Sequence, residues 1–182
     1  MLRMTDGVGS AMDRLRWGRG HHQSGYDFDA VDGTVTLASS DAFQLGTFTH
    51  IKNAIALGTQ LAQAEYSLGF DVNGTPASWS TSMMFEHNET LNRCNHRANP
   101  HCSDDIVNVR AESYRGEFRL GSDLWLFTLL GFSMDGGRSF GFTLQSPEQG
   151  RMTSPLYARV ELFREPVIIP PQVPETATFA LF

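Results

Sequence analysis

The segment AQAEYSLGFDVNGTPASWSTSMMF, residues 62–85, has the pattern from which the fold class is predicted. In its first half, as far as Val72, the apolar residues fall on even positions with polar residues between them. In its second half the apolar residues Ala77, Trp79, Met83 and Phe85 fall on odd positions, with serines at positions 78, 80 and 82. This alternation indicates two half-buried strands, because successive side chains of a strand point to opposite faces. The Asn73–Pro76 segment supplies turn chemistry between them, so the stretch predicts an antiparallel hairpin with one buried face.

The rest of the chain follows the same pattern of short strands separated by turn residues. The segment Leu124–Phe132 is apolar at nearly every position, which predicts a central strand covered on both faces. Other predicted strands are Gly33–Leu37, Phe43–His50, Ile106–Arg110, Glu117–Leu120, Phe140–Leu144 and Leu156–Leu162. We therefore predict an all-β fold, an antiparallel β-sandwich of jelly-roll type with about nine to eleven short strands.

The two ends of the chain lack this alternation. Residues 1–16 show no clear periodicity, and we expect them to be poorly ordered. The β-sandwich domain is predicted to cover residues 17–164. Residues 165–182 contain four closely spaced prolines, a composition typical of a stiff, extended linker.

Composition excludes several classes of protein. The chain has 182 residues, 41% of them hydrophobic, and a net charge of −6. Such a chain buries a sizeable core as one domain, and its acidic balance argues against nucleic acid as a partner. No apolar run reaches the length of about 18 residues that a membrane span needs, so we predict no membrane span.

The segment Phe43–Asn53, FQLGTFTHIKN, carries a resemblance to a known family, with the motif residues at Thr49, His50 and Asn53. Further matches follow in the expected order: Arg16–Gly18, Gln23–Tyr26, Glu89–Thr90, Cys102, Asp105–Val107, Gly131–Phe132 and Leu156–Ala158. Together they resemble the THxN family of bacterial PEP-CTERM proteins, also described as choice-of-anchor K domains. The resemblance implies a surface or matrix protein of exopolysaccharide-producing bacteria, and it implies no general catalytic activity.

The C-terminal segment Val173–Thr178 resembles the sorting motif of the same proteins, Val-Pro-Glu-Pro-Ala-Thr, with Thr176 in place of the second proline. The resemblance implies that the full-length form is sorted in the cell envelope by an exosortase and is extracellular or displayed on the cell surface. The residues before the predicted domain lack the apolar segment of a signal peptide. We therefore expect the native chain to extend beyond one or both ends of this sequence.

Two cysteines, Cys94 and Cys102, lie in one predicted loop. If the protein is exported, a disulfide between them is the simplest interpretation. The alternatives are free thiols or a metal site, because zinc prefers histidine, cysteine and carboxylate ligands at short spacing. The candidate metal ligands near this loop are His87, His96, His101, Asp104 and Asp105.

Calcium is a second candidate cation. The segments Asp71–Gly74 and Asp135–Gly137 offer oxygen ligands, but neither completes a known calcium-loop pattern, and ordinary turn chemistry explains both. The sequence requires no cofactor, and calcium and zinc are the candidates it leaves open.

Three polar residues, Thr49, His50 and Asn53, form a candidate ligand-binding group. At the end of a strand they could line a cleft for a small ligand. The alternative is structural, because a strand histidine often ties a neighbouring loop by hydrogen bonds.

Ser139 is a candidate nucleophile, because Gly137–Gly141 matches the Gly-x-Ser-x-Gly pattern of hydrolases. That pattern works at a strand-to-helix turn beside a parallel sheet, whereas here a strand-like segment follows it. A hairpin turn explains the glycines without catalysis.

Two functions remain open from the sequence. The first is a non-enzymatic surface or matrix β-sandwich module that contacts exopolysaccharide or a surface protein. The second is a small hydrolase of esters, lactones or glycans, using either Ser139 or a metal held near the cysteine loop. The sequence favours the first.

Overall fold

The structure, a computed structural model, describes residues 2–4, 12–21, 23–31, 34–35, 41–56, 58–72, 78–90, 103–147 and 150–163. These residues form twelve strands and no helix. The strands are β1 (Leu2–Met4), β2 (Met12–Trp17), β3 (Ser24–Ala30), β4 (Thr34–Val35), β5 (Phe43–Lys52), β6 (Gln63–Val72), β7 (Ser78–Asn88), β8 (Asp105–Ala111), β9 (Arg115–Leu120), β10 (Asp123–Phe132), β11 (Thr143–Ser146) and β12 (Gly150–Phe163). The predicted all-β class is confirmed, with ten strands of at least four residues and two shorter ones.

The strands form two six-stranded sheets in which every pairing is antiparallel. The first sheet has the order β11-β8-β7-β6-β1-β4, and the second has the order β2-β3-β5-β12-β10-β9. Their inner faces pack together, so the predicted antiparallel β-sandwich is also confirmed. The finer jelly-roll connectivity stays a prediction.

The hairpin predicted from residues 62–85 is present as β6 and β7, with Tyr66 opposite Met83 and Leu68 opposite Thr81. The alternation also assigned the faces correctly. On β7 the odd positions from Thr81 to His87 are buried, and the even positions between them are more exposed. The turn predicted between the strands lies outside the described residues.

The core consists of side chains from both inner faces, and its centre is aromatic. The rings of Phe48 on β5 and Phe85 on β7 stack with centroids 5.0 Å apart, and both side chains are fully buried. Tyr26 on β3 lies 5.8 Å from Phe85 across the same gap between the sheets. Burial of such large apolar side chains supplies most of the driving force for folding.

The predicted strand through Phe140 and Phe142 is wrong at its start, because β11 begins only at Thr143. The preceding residues 134–139 bend around the carboxylate of Asp135. Its Oδ1 atom accepts hydrogen bonds from Ser133 Oγ and from the backbone N–H groups of residues 138 and 139. These local bonds replace the strand ladder that the alternation of phenylalanines suggested.

β10 also differs in detail from its prediction. It is paired on both sides, by β9 and β12, as expected for a central strand. Phe127 and Leu129 are buried, whereas Leu126 and Leu130 on the opposite face are only half-buried. One face of the strand therefore belongs to the core, and the other is partly covered.

The predicted domain begins at residue 17, but strands occur earlier in the chain. β1 pairs with β4 and β6 in the first sheet, and β2 pairs with β3 in the second. The described parts of the N-terminal segment thus belong to the sandwich. At the other end β12 stops at Phe163, and residues 165–182 lie outside the described residues. Across the described ranges, no helix has the length and apolar character needed to cross a membrane.

One close approach between the sheets gives a test of the packing. A Cβ atom at Gly116 on β9 would lie 2.5 Å from Nε1 of Trp79 on β7 and closer still to Cδ1. We expect Gly116→Ala to lower the free energy of unfolding by about 1–3 kcal/mol, because the half-buried indole, which packs 4.4 Å from the ring of Phe127, would have to move. Urea denaturation measures this effect. Gly141→Ala is the matched control, since a Cβ there meets no atom within 4 Å. Equal stability of the two variants would contradict the packing described.

Candidate functional site

Two charged or titratable side chains of β5 point into the core. His50 is fully buried and Lys52, the only lysine of the chain, is 1% exposed. They follow Phe48 at alternate positions, so all three side chains lie on the inner face of the strand. Thr49 and Ile51 between them lie on the outer face and are half-buried.

The opposite sheet places two complementary groups against them. His87 on β7 is 8% exposed and Asp105, the first residue of β8, is 1% exposed. Tyr26 on β3 completes the group from the second sheet and is fully buried. We call Tyr26, His50, Lys52, His87 and Asp105 the buried polar cluster.

An ion pair holds one side of the buried polar cluster. Lys52 Nζ donates hydrogen bonds to Asp105 Oδ1 and to the carbonyl oxygen of Ser103, each at 2.7 Å. The backbone N–H of Thr90 also donates to Asp105 Oδ1, at 2.9 Å. Burial alone raises the pKa of Asp105, but the nearby His87 imidazole and the hydrogen bonds from Lys52 and Thr90 outweigh it and hold the pKa below its usual value. Asp105 is therefore ionised at neutral pH.

His87 links Asp105 to Tyr26. Its Nε2 atom lies 3.5 Å from Asp105 Oδ2, and its Nδ1 atom shares a hydrogen bond with the hydroxyl of Tyr26. Burial, followed by the nearby charges of Tyr66, Asp105 and Glu89, raises the pKa of Tyr26 well above its usual value. Tyr26 is therefore a neutral phenol at physiological pH.

His50 is held by aromatic rings instead of hydrogen bonds. The indole of Trp17 stacks on it with centroids 5.8 Å apart, and the ring of Tyr26 meets it edge-on at 5.2 Å. Neither ring nitrogen of His50 has a hydrogen-bond partner within the described part of the chain. Burial, and then the charge of His87, lowers the pKa of His50 to about 3, so its imidazole is neutral at pH 7.

The predicted group of Thr49, His50 and Asn53 is not brought together. Thr49 lies on the outer face of β5, where its hydroxyl is 3.4 Å from that of Thr153. Asn53 follows the strand and donates from Nδ2 to the carbonyl oxygen of Gln23 at 2.8 Å. Its backbone N–H also donates to Ser24 Oγ at 3.0 Å. These contacts of Asn53 tie the start of β3 to the end of β5. The structural role predicted for His50, hydrogen bonding to a neighbouring loop, is not seen among the described residues, because neither of its ring nitrogens has a partner there.

Of the predicted metal ligands, His87 and Asp105 are brought together, and Asp104 is directed elsewhere. Asp104 Oδ2 accepts a hydrogen bond from Gln145 Nε2 at 3.0 Å. His96 and His101 lie outside the described residues, as do both cysteines, so the predicted disulfide between Cys94 and Cys102 stays a prediction.

Ser139 lies on the exposed loop around Asp135. Its Oγ atom donates to Asp135 Oδ2 at 2.6 Å, and its backbone N–H donates to Oδ1 at 3.0 Å. These bonds, with those from Ser133 and Arg138, lower the pKa of Asp135. The carboxylate of Asp135, a candidate calcium ligand, therefore accepts hydrogen bonds from groups of its own loop. The Asp71–Gly74 candidate has no described side chains.

A surface groove with a volume of about 460 Å³ lies between the edge strand β2 and the strand β6. Its lining combines polar, charged and aromatic side chains with small apolar ones. The lining residues are Arg14, Leu15, Leu61, Gln63, Ala64, Glu65, Tyr66 and Ser67.

Sequence reasoning missed Tyr26 and Lys52 and treated His50 and His87 as parts of different sites. One signal was present, since a lone lysine occurs two residues after the motif histidine and so shares its strand face. The class that the fold and site define is an antiparallel β-sandwich with a charged, histidine-containing core. Comparison with protein-family models and with curated proteins found no match for the chain.

Proposed function

We propose that this protein is a non-enzymatic β-sandwich module of the bacterial cell surface or extracellular matrix that binds exopolysaccharide. The groove between β2 and β6 carries the proposal. Ligand sites combine apolar and aromatic side chains with a few polar groups, and the groove offers the half-buried Tyr66 beside Arg14, Gln63 and Glu65. The resemblance to the THxN proteins supports the location, and in the full-length form an exosortase would sort the chain.

The contacts of the candidate catalytic groups favour binding over hydrolysis. The buried polar cluster is at most 8% exposed, so it offers a substrate little access. Ser139 is accessible, but its hydroxyl donates to a carboxylate in its own loop. A serine nucleophile needs a general base that removes its proton, usually a histidine held by a carboxylate. Among the described residues no histidine contacts Ser139, which supports the binding function.

Affinity electrophoresis tests the proposal with alginate, xanthan and dextran as probes, which represent acidic and neutral polysaccharides. We expect at least one of them to retard the wild-type chain. The double variant Arg14→Ala/Gln63→Ala should weaken that binding by roughly tenfold or more, because it removes hydrogen-bond donors from the groove.

Arg119→Ala is the control, because Arg119 is an exposed arginine on β9, the edge strand of the second sheet farthest from β2. Equal loss in both variants would indicate nonspecific charge attraction and contradict the groove. The hydrolase alternative would replace the binding function if two results are obtained together. No polysaccharide retards the chain, and the chain turns over chromogenic esters or lactones in a reaction that Ser139→Ala or His101→Ala abolishes. If the chain binds a surface protein and none of the three polysaccharides, the proposed ligand, exopolysaccharide, is wrong.

A further inference from the structure

We propose that His50, His87 and Asp105 form a buried binding site for a divalent transition metal ion, for which zinc is the best match. One potential ligand atom from each residue lies within 4.8 Å of the other two. Two imidazoles and one carboxylate form a donor set that zinc and similar ions prefer over calcium or magnesium, which favour oxygen ligands alone. The proposal is independent of polysaccharide binding in the groove.

Unpartnered atoms point to an ion at this place. His87 Nε2, Asp105 Oδ2 and both ring nitrogens of His50 are buried without a hydrogen-bond partner among the described residues. Buried polar atoms are nearly always paired, because leaving one unpaired costs free energy. A metal ion would accept a lone pair from one nitrogen of each histidine and one from the carboxylate.

The distances require only a small movement. Atoms that share a tetrahedral zinc ion at 2.0–2.1 Å lie roughly 3.4 Å apart. The separation of His87 Nε2 from Asp105 Oδ2 is already 3.5 Å. Contraction of a separation of 4.8 Å, the upper limit for these atoms, to that value is a shift of roughly 1.4 Å, within reach of a side-chain adjustment of His50.

Neighbouring groups hold the proposed ligands in place. The Tyr26 hydroxyl pairs with Nδ1 of His87, which leaves Nε2 for the ion and fixes the ring. Lys52 and the backbone of Thr90 hold Asp105 through Oδ1, which leaves Oδ2 on the side of the histidines. The ammonium of Lys52 repels a second cation, whereas Thr90 still holds Asp105 Oδ1 when Lys52 is replaced, and we therefore expect Lys52→Met to tighten metal binding.

The first experiment uses the wild-type chain and needs no substitution. The protein is unfolded with EDTA, freed of metal, and refolded with or without ZnCl₂, because a buried site takes up its ion as the chain folds. After desalting, elemental analysis should find one zinc ion per chain. At free zinc of about 100 times Kd the Tm should rise by roughly 5–10 °C. CoCl₂ in place of zinc should give the visible absorption of a four-coordinate cobalt centre with nitrogen and oxygen ligands. Absence of retained zinc and of a Tm shift would overturn the proposal.

Substitutions then separate this site from a loop site. His50→Gln should lose the zinc-dependent rise in Tm, whereas His21→Gln, at an exposed histidine, should retain it. The double variant His96→Gln/His101→Gln should also retain it. If the zinc-dependent rise in Tm is lost in that double variant but retained in His50→Gln, the metal site lies in the cysteine loop and the buried site is wrong.

A milder variant covers the case in which His50→Gln does not fold. Tyr26→Phe keeps the ring and removes only the hydroxyl that orients His87. We expect its zinc affinity to fall by roughly 10- to 100-fold, as for the loss of other outer partners of metal-binding histidines. Lys52→Met should shift affinity in the opposite direction. Unchanged affinity in both variants would contradict the site.

Discussion

Asp105→Asn is expected to lower the free energy of unfolding of the metal-free chain by about 3–5 kcal/mol. The side chains of Asp105 and Lys52 are each 1% exposed, and Lys52 Nζ lies 2.7 Å from Asp105 Oδ1. Asparagine preserves the shape of the side chain but removes its charge, so the ammonium group loses the carboxylate that neutralises it inside the core. Urea denaturation in EDTA, followed by tryptophan fluorescence, measures the change.

An exposed ion pair supplies the control. Arg110 and Glu86 are separated by 3.4 Å, and their side chains are 72% and 35% exposed. Arg110→Met should cost less than about 1 kcal/mol, because water screens such pairs. A cost for Asp105→Asn as small as this would contradict a dry ion pair.

The double variant Lys52→Met/Asp105→Leu tests whether the cost of Asp105→Asn comes from an unpaired buried charge. It removes both charges and fills the space with apolar atoms, so it should recover much of the stability that Asp105→Asn loses. If the double variant is less stable than Asp105→Asn, charge burial does not explain the effect.

The second large effect is a loss of stability in acid. Burial lowers the pKa of His50 to about 3, whereas the unfolded chain has the ordinary value of 6.5. Between these two values the unfolded state binds a proton that the folded state does not bind, so a fall in pH favours unfolding. The metal-free chain should lose up to about 1.4 kcal/mol per pH unit below pH 6.5, or roughly 2 kcal/mol by pH 5. Above pH 6.5 this contribution is constant.

The charged and titratable groups around His50 determine the pH range in which stability is lost. After burial, His87 on β7 lowers its pKa, Asp105 on β8 raises it, and Lys52 on its own strand lowers it. Asp105 itself has a pKa held below 3.8, so its contribution to stability is lost only at lower pH. The contribution of His50 to the slope between pH 4 and 6 is obtained by comparison with a variant that lacks the imidazole.

Urea denaturation in EDTA at several pH values measures this slope. His50→Phe is the informative variant, because phenylalanine can keep the ring contacts with Trp17 and Tyr26 but has no group that titrates. Its stability should depend less on pH, whereas His21→Gln should behave like the wild type, because water reaches the His21 ring in the folded state. Identical slopes for His50→Phe and the wild type would contradict the assignment.

The sequence was sufficient to predict the sheets but not every element in them. On β6 and β7 the alternation of apolar residues defines both the strands and their buried faces, because side-chain direction in a strand has a period of two. The same rule failed at Phe140, where hydrogen bonds to Asp135 override the apparent alternation. It also gave no reason to place β1 in the first sheet, since a strand of three residues is too short to show a period.

The buried polar cluster was predictable only within one strand. The spacing of His50 and Lys52 places both on one face of β5. Their meeting with His87 and Asp105 depends on how two sheets pack, and no local pattern encodes that contact. The motif histidine was therefore grouped with Thr49 and Asn53, its neighbours in sequence, when its spatial neighbours belong to the other sheet.

The position of Lys52 also affects how the molecule can be modified chemically. Because the chain has one lysine and the sandwich encloses it, the positive charge of the folded surface comes from arginine side chains. Reagents and enzymes that acylate, glycate or cross-link lysine find no lysine amine on that surface. Covalent attachment of this protein to a matrix through lysine would have to precede folding, and attachment of the folded form must use another functional group.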